Sequence, residues 1–167
     1  MALNEETENG GVALRPATAA DAPALARLRF EFRLSTGPVV EAEAEFVRRC
    51  SRWMEERLRG GGAWRCWIAE RDHAPVGQLW AQLIEKMPNP SPELEYHAYL
   101  TNFYVREDAR GRGVGSMLLS AALEWCRARQ VHAAILWPTE RSRPLYRRYG
   151  FAVRQDLMEL IVGGKRP

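Results

Sequence analysis

The sequence predicts a mixed, mostly antiparallel α/β sheet flanked by helices, in the order β-α-α-β-β-β-α-β-α-β-β. The first observation behind this class is that some segments repeat apolar residues with a helical period, whereas others are continuous runs of aromatic and β-branched residues. The second is that hairpin signals occur towards both ends of the chain, and the third is that a helical crossover separates two strands in the middle. Antiparallel hairpins joined by one crossover give a mixed sheet.

The first half of the chain supplies a strand, two helices and a hairpin. Thr18 and Asp21 have the spacing of a capping box, so a helix should start there, and Leu25, Leu28 and Phe32 give it an apolar stripe. The predicted elements are a strand at 12–15, helices at 19–33 and 41–59, and strands at 64–71 and 76–85.

The second half alternates strands and helices and ends in a hairpin. Pro144 fits the first turn of a helix, Gly150 should end that helix, and Gln155-Asp156 should form the last turn. The predicted elements are strands at 99–105, 131–137, 151–154 and 157–162 and helices at 114–129 and 141–149. We expect one domain at 12–162 between tails at 1–11 and 163–167.

The composition is that of a globular protein and excludes several classes. The chain has 167 residues, of which 46% are hydrophobic and 27% charged. No run approaches the ~20 apolar residues that span a bilayer, and the acidic, polar start does not resemble a secretory signal. The net charge is +3, and the arginines are scattered among glutamates, which argues against nucleic-acid binding.

The cysteines show neither disulfide nor metal patterning. An odd number without metal-like spacing favours buried thiols in a reducing, cytoplasmic location, so we expect no metal cofactor. The residues are Cys50, Cys66 and Cys126.

The stretch at 102–116 is the strongest functional signal in the chain. A strand runs into a turn with three glycines and three arginines, and a helix follows. Glycines let the backbone approach a ligand closely, and a helix start offers N–H groups and positive potential, so a phosphate or pyrophosphate is the natural ligand. An exposed turn with solvated arginines is the alternative. The P-loop and Rossmann patterns both fit poorly, because no Lys follows the glycines and Ser116 replaces the third Rossmann glycine.

Two motifs resemble the GNAT superfamily of acyl-CoA-dependent N-acyltransferases. The acyl-CoA signature [RQ]-x-x-G-x-[GA] matches Arg-Gly-Arg-Gly-Val-Gly at 110–115, and a short helix with Leu-Tyr followed by Gly-Phe matches 145–151. The order of elements is similar over about 12–162.

The resemblance implies where acetyl-CoA would bind. It implies that backbone N–H groups of the glycine-rich turn bind the pyrophosphate, and that the preceding strand pairs with pantetheine and polarises the thioester carbonyl. Thr139 and Ser142 stand where the family commonly has Asn and Ala. The residues implied in binding are Phe103, Tyr104, Val105, Arg110, Gly111, Arg112, Gly113, Val114, Gly115, Ser116, Thr139, Ser142, Leu145 and Tyr146.

The implied reaction is direct transfer of an acetyl group from acetyl-CoA to a primary amine of a small molecule or protein, without a covalent acyl-enzyme. Tyr146 would be the general acid that protonates the departing thiolate, although a packed core tyrosine is the alternative. Glu85, Glu95 and His97 are candidate bases, and each could instead be a surface charge. A non-catalytic acyl-CoA sensor on the same fold is the second hypothesis. Exposed sheet edges also make the terminal strands candidates for a homodimer contact.

Overall fold

The computed structural model describes residues 11–163, which contain one mixed sheet and four α-helices. The strands are β1 Val12–Pro16, β2 Trp64–Arg71, β3 Ala74–Glu85, β4 Tyr96–Val105 and β5 Val131–Ile135, and the helices are α1 Ala22–Thr36, α2 Glu43–Arg59, α3 Val114–Ala128 and α4 Arg143–Arg148. The predicted fold class is confirmed, as are the first nine elements of the predicted order.

The chain divides into two compact units after Trp137. The first contains the sheet and α1 to α3, and the second, from Pro138 onward, contains α4. The predicted tails at 1–11 and 163–167, apart from Gly11 and Gly163, lie outside the described residues.

The sheet order follows the chain order, and one pair of strands is parallel. Strands β1 to β4 are antiparallel neighbours. Strand β5 runs parallel to β4, because α3 returns the chain to the end of the sheet at which β4 begins. Gly77 lies opposite Val105 at the end where β4 finishes, which we call the glycine-turn end. Glu85 lies opposite Tyr96 at the other end, which we call the opposite end.

Helices cover both faces of the sheet. On one face, α1 and α2 pack over β2 and β3, and the fully buried Gln78 donates to the carbonyl of Leu25 at 3.1 Å and accepts from the Trp80 indole at 3.0 Å. These bonds satisfy a buried amide, which would otherwise cost free energy. On the other face, α3 approaches so closely that a Cβ on Gly77 would lie 3.2 Å from the Leu118 side chain.

The predicted final hairpin is wrong. Residues 151–163 contain no helix or strand, and only a bend stands where the Gln155-Asp156 turn was predicted. Beyond Phe151, which packs against Tyr146, the apolar side chains of this segment are exposed: Met158 is 96% exposed and Leu160 is 84% exposed. An apolar pattern alone does not make a strand, because a strand also needs a neighbour for its N–H and C=O groups. Instead, Arg154 Nε donates to Asp156 at 2.8 Å within the segment.

Strand β5 also differs from its prediction. It ends at Ile135 rather than at 137, and its side chains are half-buried or exposed although its apolar run predicted burial on both faces. Among the described residues it has one strand neighbour, β4, so it is an edge strand.

None of the helices within residues 11–163 combines the length and the apolarity needed to cross a bilayer.

A network of ion pairs links β1 to β2 and to Asp21, the residue that precedes α1. The Arg15 guanidinium donates to both oxygens of Asp21, at 2.8 and 2.9 Å, and to both oxygens of Glu70, at 2.8 and 2.9 Å. The hydrogen bonds from Arg15 hold the pKa of Asp21 at about 2. Asp21 also accepts the backbone N–H of Thr18 at 2.7 Å, as the capping-box spacing predicted.

The Asp21→Asn variant should be less stable than the parent at pH 7, by about 1 kcal/mol after solvent screening. Because the pKa of Asp21 is lowered from 3.8 to about 2, the stabilisation is present above the first value and is lost as the pH falls through the second. Urea unfolding at several pH values measures this. Glu124→Gln, at an exposed position within α3, is the control and should show no measurable change. An equal loss at pH 2 and pH 7 would contradict the assignment.

Candidate active site

The glycine-rich turn has the backbone that its glycines permit. Gly111 and Gly113 have φ of 72° and 80°, in the left-handed region where other residues are strained. Helix α3 begins at Val114, and the Met117 N–H donates to the Gly113 carbonyl at 3.0 Å. The N–H groups of Val114 and Gly115 come too early in α3 to reach a carbonyl within the helix, so they are oriented for an anion.

The three arginines around this turn have different environments. Arg110 donates through Nε to the Val105 carbonyl at 2.8 Å and lies over the Tyr104 ring at 5.8 Å, so it fastens the turn to β4. Arg106 donates through Nε to Glu31 of α1 at 2.8 Å. Arg112 is exposed on the turn itself. Arg112 is therefore the arginine best placed to meet a phosphate, whereas Arg110 shapes the turn.

The strand before the turn has an open edge. Strand β4 pairs with β5 only from Tyr96 to Tyr99, which lies opposite Ile135, yet β4 continues to Val105. Beyond Tyr99 this side of β4 has no strand neighbour among residues 11–163. An open strand edge can bind an extended ligand by adding it as a further strand. Phe103, Tyr104 and Val105, predicted to carry pantetheine, are half-buried in this part of β4.

A β-bulge interrupts β4 at the same place. Gln78 lies opposite Tyr104 and Trp80 lies opposite Thr101, so Asn102 and Phe103 together face Leu79. Asn102 has a φ of 49°, which an asparagine tolerates better than most residues. Because the bulge adds one residue, Tyr99 and Tyr104 lie on the same face of the sheet although their spacing is odd.

Besides Tyr104, the face of β4 towards α1 gathers residues to which the sequence analysis assigned no functional role. Tyr104 stacks on Phe32 of α1 at 5.5 Å, and Tyr99 meets Trp137 edge-on at 5.0 Å. Arg29 of α1 donates to the Asn102 side-chain oxygen at 3.3 Å. The available signal was the position of Arg29 within the apolar stripe of α1, four residues after Leu25 and three before Phe32.

The remaining implied residues lie in the second unit. Ser142 Oγ donates to the Thr139 carbonyl at 3.0 Å and accepts the Thr139 N–H at 3.0 Å, which forms a tight turn before α4. Tyr146 is buried and packs against Phe151 at 5.5 Å, and Leu145 beside it is half-buried. Burial raises the pKa of Tyr146 to about 12, against a smaller lowering by Ser142, so its hydroxyl stays protonated at neutral pH.

The three candidate bases lie towards the opposite end of the sheet. Glu85 and Glu95 are exposed, and Glu85 lines an open groove of about 330 Å³ with Tyr96 and Arg129. His97 is half-buried and stacks on His132 at 5.6 Å. His97 precedes Phe103 by six residues, which is about 20 Å along a strand. His97 is the nearest of the three to the bulge by strand position.

The cysteines are sheltered, as predicted. Cys66 and Cys126 are buried and Cys50 is half-buried. Burial raises the pKa of all three thiols, to about 11 for Cys126. They therefore lack the lowered pKa of a nucleophilic cysteine.

Comparison with known protein families identifies the family of this chain. The model of the acetyltransferase (GNAT) family matches residues 27–151, more than half of the chain. The chain belongs to the GNAT acetyltransferase family. The match includes the glycine-rich turn and the Leu145-Tyr146 segment, so the resemblance carried by these two motifs is confirmed. A search of curated proteins gave no significant match.

Solved structures of several acetyltransferases have the same fold. A GCN5-related N-acetyltransferase from Ralstonia eutropha JMP134 is 28% identical with a TM-score of 0.76, and the alignment covers 92% of this chain and 100% of that one. A predicted acetyltransferase with acetyl-CoA from Clostridium acetobutylicum is 22% identical with a TM-score of 0.77, covering 90% and 96%. Glucosamine-6-phosphate N-acetyltransferase from Arabidopsis thaliana is 15% identical with a TM-score of 0.68, covering 91% and 99%.

The Gly113→Asp variant should bind CoA at least about tenfold more weakly than the parent, because it places a carboxylate and a strained backbone at the anion-binding turn. Gly61→Asp is the matched control, since Gly61 also has a positive φ, of 56°, but precedes β2 at the opposite end of the sheet. Isothermal titration calorimetry measures both affinities. Equal affinity of the two variants would contradict a pyrophosphate site at 110–116.

Proposed function

We propose that this protein transfers an acetyl group from acetyl-CoA directly to a primary amine. The observation that carries the proposal is the continuity of the open edge of β4 with the glycine-rich turn. An open strand edge suits the extended, amide-containing pantetheine arm, and a turn with exposed N–H groups at its end suits the pyrophosphate. Membership of the GNAT family supports the same ligand.

The binding roles follow the backbone of the first unit. The N–H groups of the turn at 110–116 bind the pyrophosphate, with Arg112 adding an exposed positive charge. Phe103 and Val105 pair with pantetheine. An N–H at the bulge polarises the thioester carbonyl and stabilises the oxyanion that forms when the amine attacks.

The acceptor nitrogen must lose two protons, one before and one after it attacks, and the departing sulfur must gain one. The acceptor ammonium loses its first proton to solvent, because His97, the nearest candidate base, lies about 20 Å along β4 from Phe103 and could receive the proton only through a chain of several water molecules. The amine nitrogen then attacks the acetyl carbon and a C–N bond forms. The nitrogen loses its second proton to solvent as the C–S bond breaks. Tyr146 donates its hydroxyl proton towards the departing sulfur. Because the pKa of Tyr146 is about 12 and that of an ordinary thiol is about 8.5, the main contribution of Tyr146 is a hydrogen bond to the thiolate, and solvent completes the protonation.

The second candidate function is an acyl-CoA sensor without catalysis. The burial of Tyr146 against Phe151 favours it to the extent that this tyrosine serves only to pack α4. Release of free thiol from acetyl-CoA in the presence of a panel of amines separates the two functions. Tight CoA binding without thiol release for any amine in the panel would exclude the transferase.

The Tyr146→Phe variant should lower kcat by roughly tenfold to a hundredfold, the size of one hydrogen bond to a charged group. The affinity for CoA and the melting temperature should change little, because the ring remains. Tyr149→Phe, three residues further on, is the matched control and should keep the parental kcat. An unchanged kcat in Tyr146→Phe would remove this residue from the chemistry.

A further inference from the structure

Arg29, on α1, is a partly buried positive charge that no carboxylate in the described part of the first unit neutralises. It lies on the apolar side of α1 and is half-buried, with its guanidinium 5.7 Å from the Phe32 ring. Within the described chain its one hydrogen bond goes to the Asn102 side chain, and it forms no ion pair. By contrast, Arg15 holds Asp21 and Glu70, and Arg106 holds Glu31.

The remaining donors of Arg29 are accessible to a ligand. Ser51 Oγ is the single buried side-chain nitrogen or oxygen atom without a partner in residues 11–163, so the spare N–H groups of Arg29 face space that solvent reaches. The pKa of Arg29 is lowered, first by burial and then by the neighbouring charge of Arg33. A bound anion would offset both effects.

Arg29 also lies next to the expected reaction point. Its hydrogen-bond acceptor, Asn102, is the left-handed residue of the β4 bulge and immediately precedes Phe103. An anion on Arg29 would therefore lie beside the part of β4 that would hold the thioester. A substrate that reaches both points needs its amine and its anionic group close together.

Aromatic rings border this position along β4. Phe32 and Tyr104 stack on the side towards the glycine-turn end, whereas Tyr99 and Trp137 meet on the side towards β5. Trp137 is 59% exposed, so an apolar group could cover it. One guanidinium matches one planar carboxylate in a two-pronged contact, and aromatic walls favour an apolar or aromatic substituent.

We propose that Arg29 binds the carboxylate of the acceptor, and that the acceptor is a free α-amino acid with an apolar or aromatic side chain. The proposal rests on the proposed acetyl transfer and adds the substrate class. The α-amine forms the C–N bond with the acetyl carbon as the C–S bond breaks. The products are an N-acetyl amino acid and CoA with a free thiol, and the proton of the ammonium passes to solvent.

Turnover measurements at saturating acetyl-CoA test the substrate class. Phenylalanine should release thiol, and phenethylamine, which lacks the carboxylate, should have a kcat/KM lower by about tenfold to a hundredfold. Phenylalanine amide should resemble phenethylamine. In Arg29→Gln the preference for phenylalanine should disappear through a higher KM for the acceptor, whereas the KM for acetyl-CoA stays constant. Arg29→Lys should restore part of the preference, and the exposed Arg33→Gln is the matched control and should keep it.

Binding measurements separate failure of this proposal from failure of the proposed function. Phenylalanine should bind to the protein with CoA and quench the fluorescence of the exposed Trp137, and Arg29→Gln should lose this response while it retains its melting temperature. Binding that depends on Arg29 without any turnover would support the carboxylate site and exclude the transferase. Equal turnover of phenylalanine and phenethylamine, a preference for phosphoethanolamine, or a preference for a protein N-terminus would overturn the carboxylate site and leave the transferase standing.

Discussion

The candidate site depends on one structural constraint, the divergence of β4 from β5. Two strands share hydrogen bonds only where they run side by side, and here that contact ends at Tyr99 and Ile135. Everything after Tyr99 on β4 therefore keeps an edge that an extended molecule can occupy. The same strand then leads into the turn with Gly111 and Gly113, so one stretch of backbone can hold both ends of a long ligand.

The bulge at Asn102 and Phe103 determines which side chains of β4 face α1. One extra residue shifts the alternation of side chains, so that Tyr99 and Tyr104 share the face towards α1. Without the shift, one of the two would point towards α3. Helix α1 contributes Arg29 and Phe32 to that face, and the proposed acceptor position is therefore made from one helix and one interrupted strand.

The sequence predicted the parts of the structure that depend on local pattern. Short segments of sequence carry the signals for the glycine-rich turn, for the start of α3 at Val114 and for the apolar face of α1. The limits of β4 and β5 depend on where two distant strands diverge, and no local signal gives that. The final hairpin was predicted from two apolar segments within 151–162, but whether such a segment forms a strand depends on an available neighbour.

The same distinction applies to the candidate site. The glycine-rich turn was predicted because its chemistry resides in consecutive residues. Arg29 could not be assigned a role from sequence, because its significance lies in the absence of an ion pair within residues 11–163 and in its contact with Asn102, 73 positions away. Glu85, Glu95 and His97 were chosen because they lie near the strands expected to border the acceptor pocket. Their distances from the bulge depend on the strand register, which the sequence does not reveal.

The sheltered cysteines have a practical consequence for work on this protein. Thiol reagents react with the thiolate, and burial keeps Cys50, Cys66 and Cys126 protonated by raising each pKa. In the folded protein, a colorimetric thiol reagent should therefore react mainly with CoA. Once the chain unfolds, the same reagent reaches three more thiols per molecule, so a single absorbance signal can follow both turnover and loss of structure.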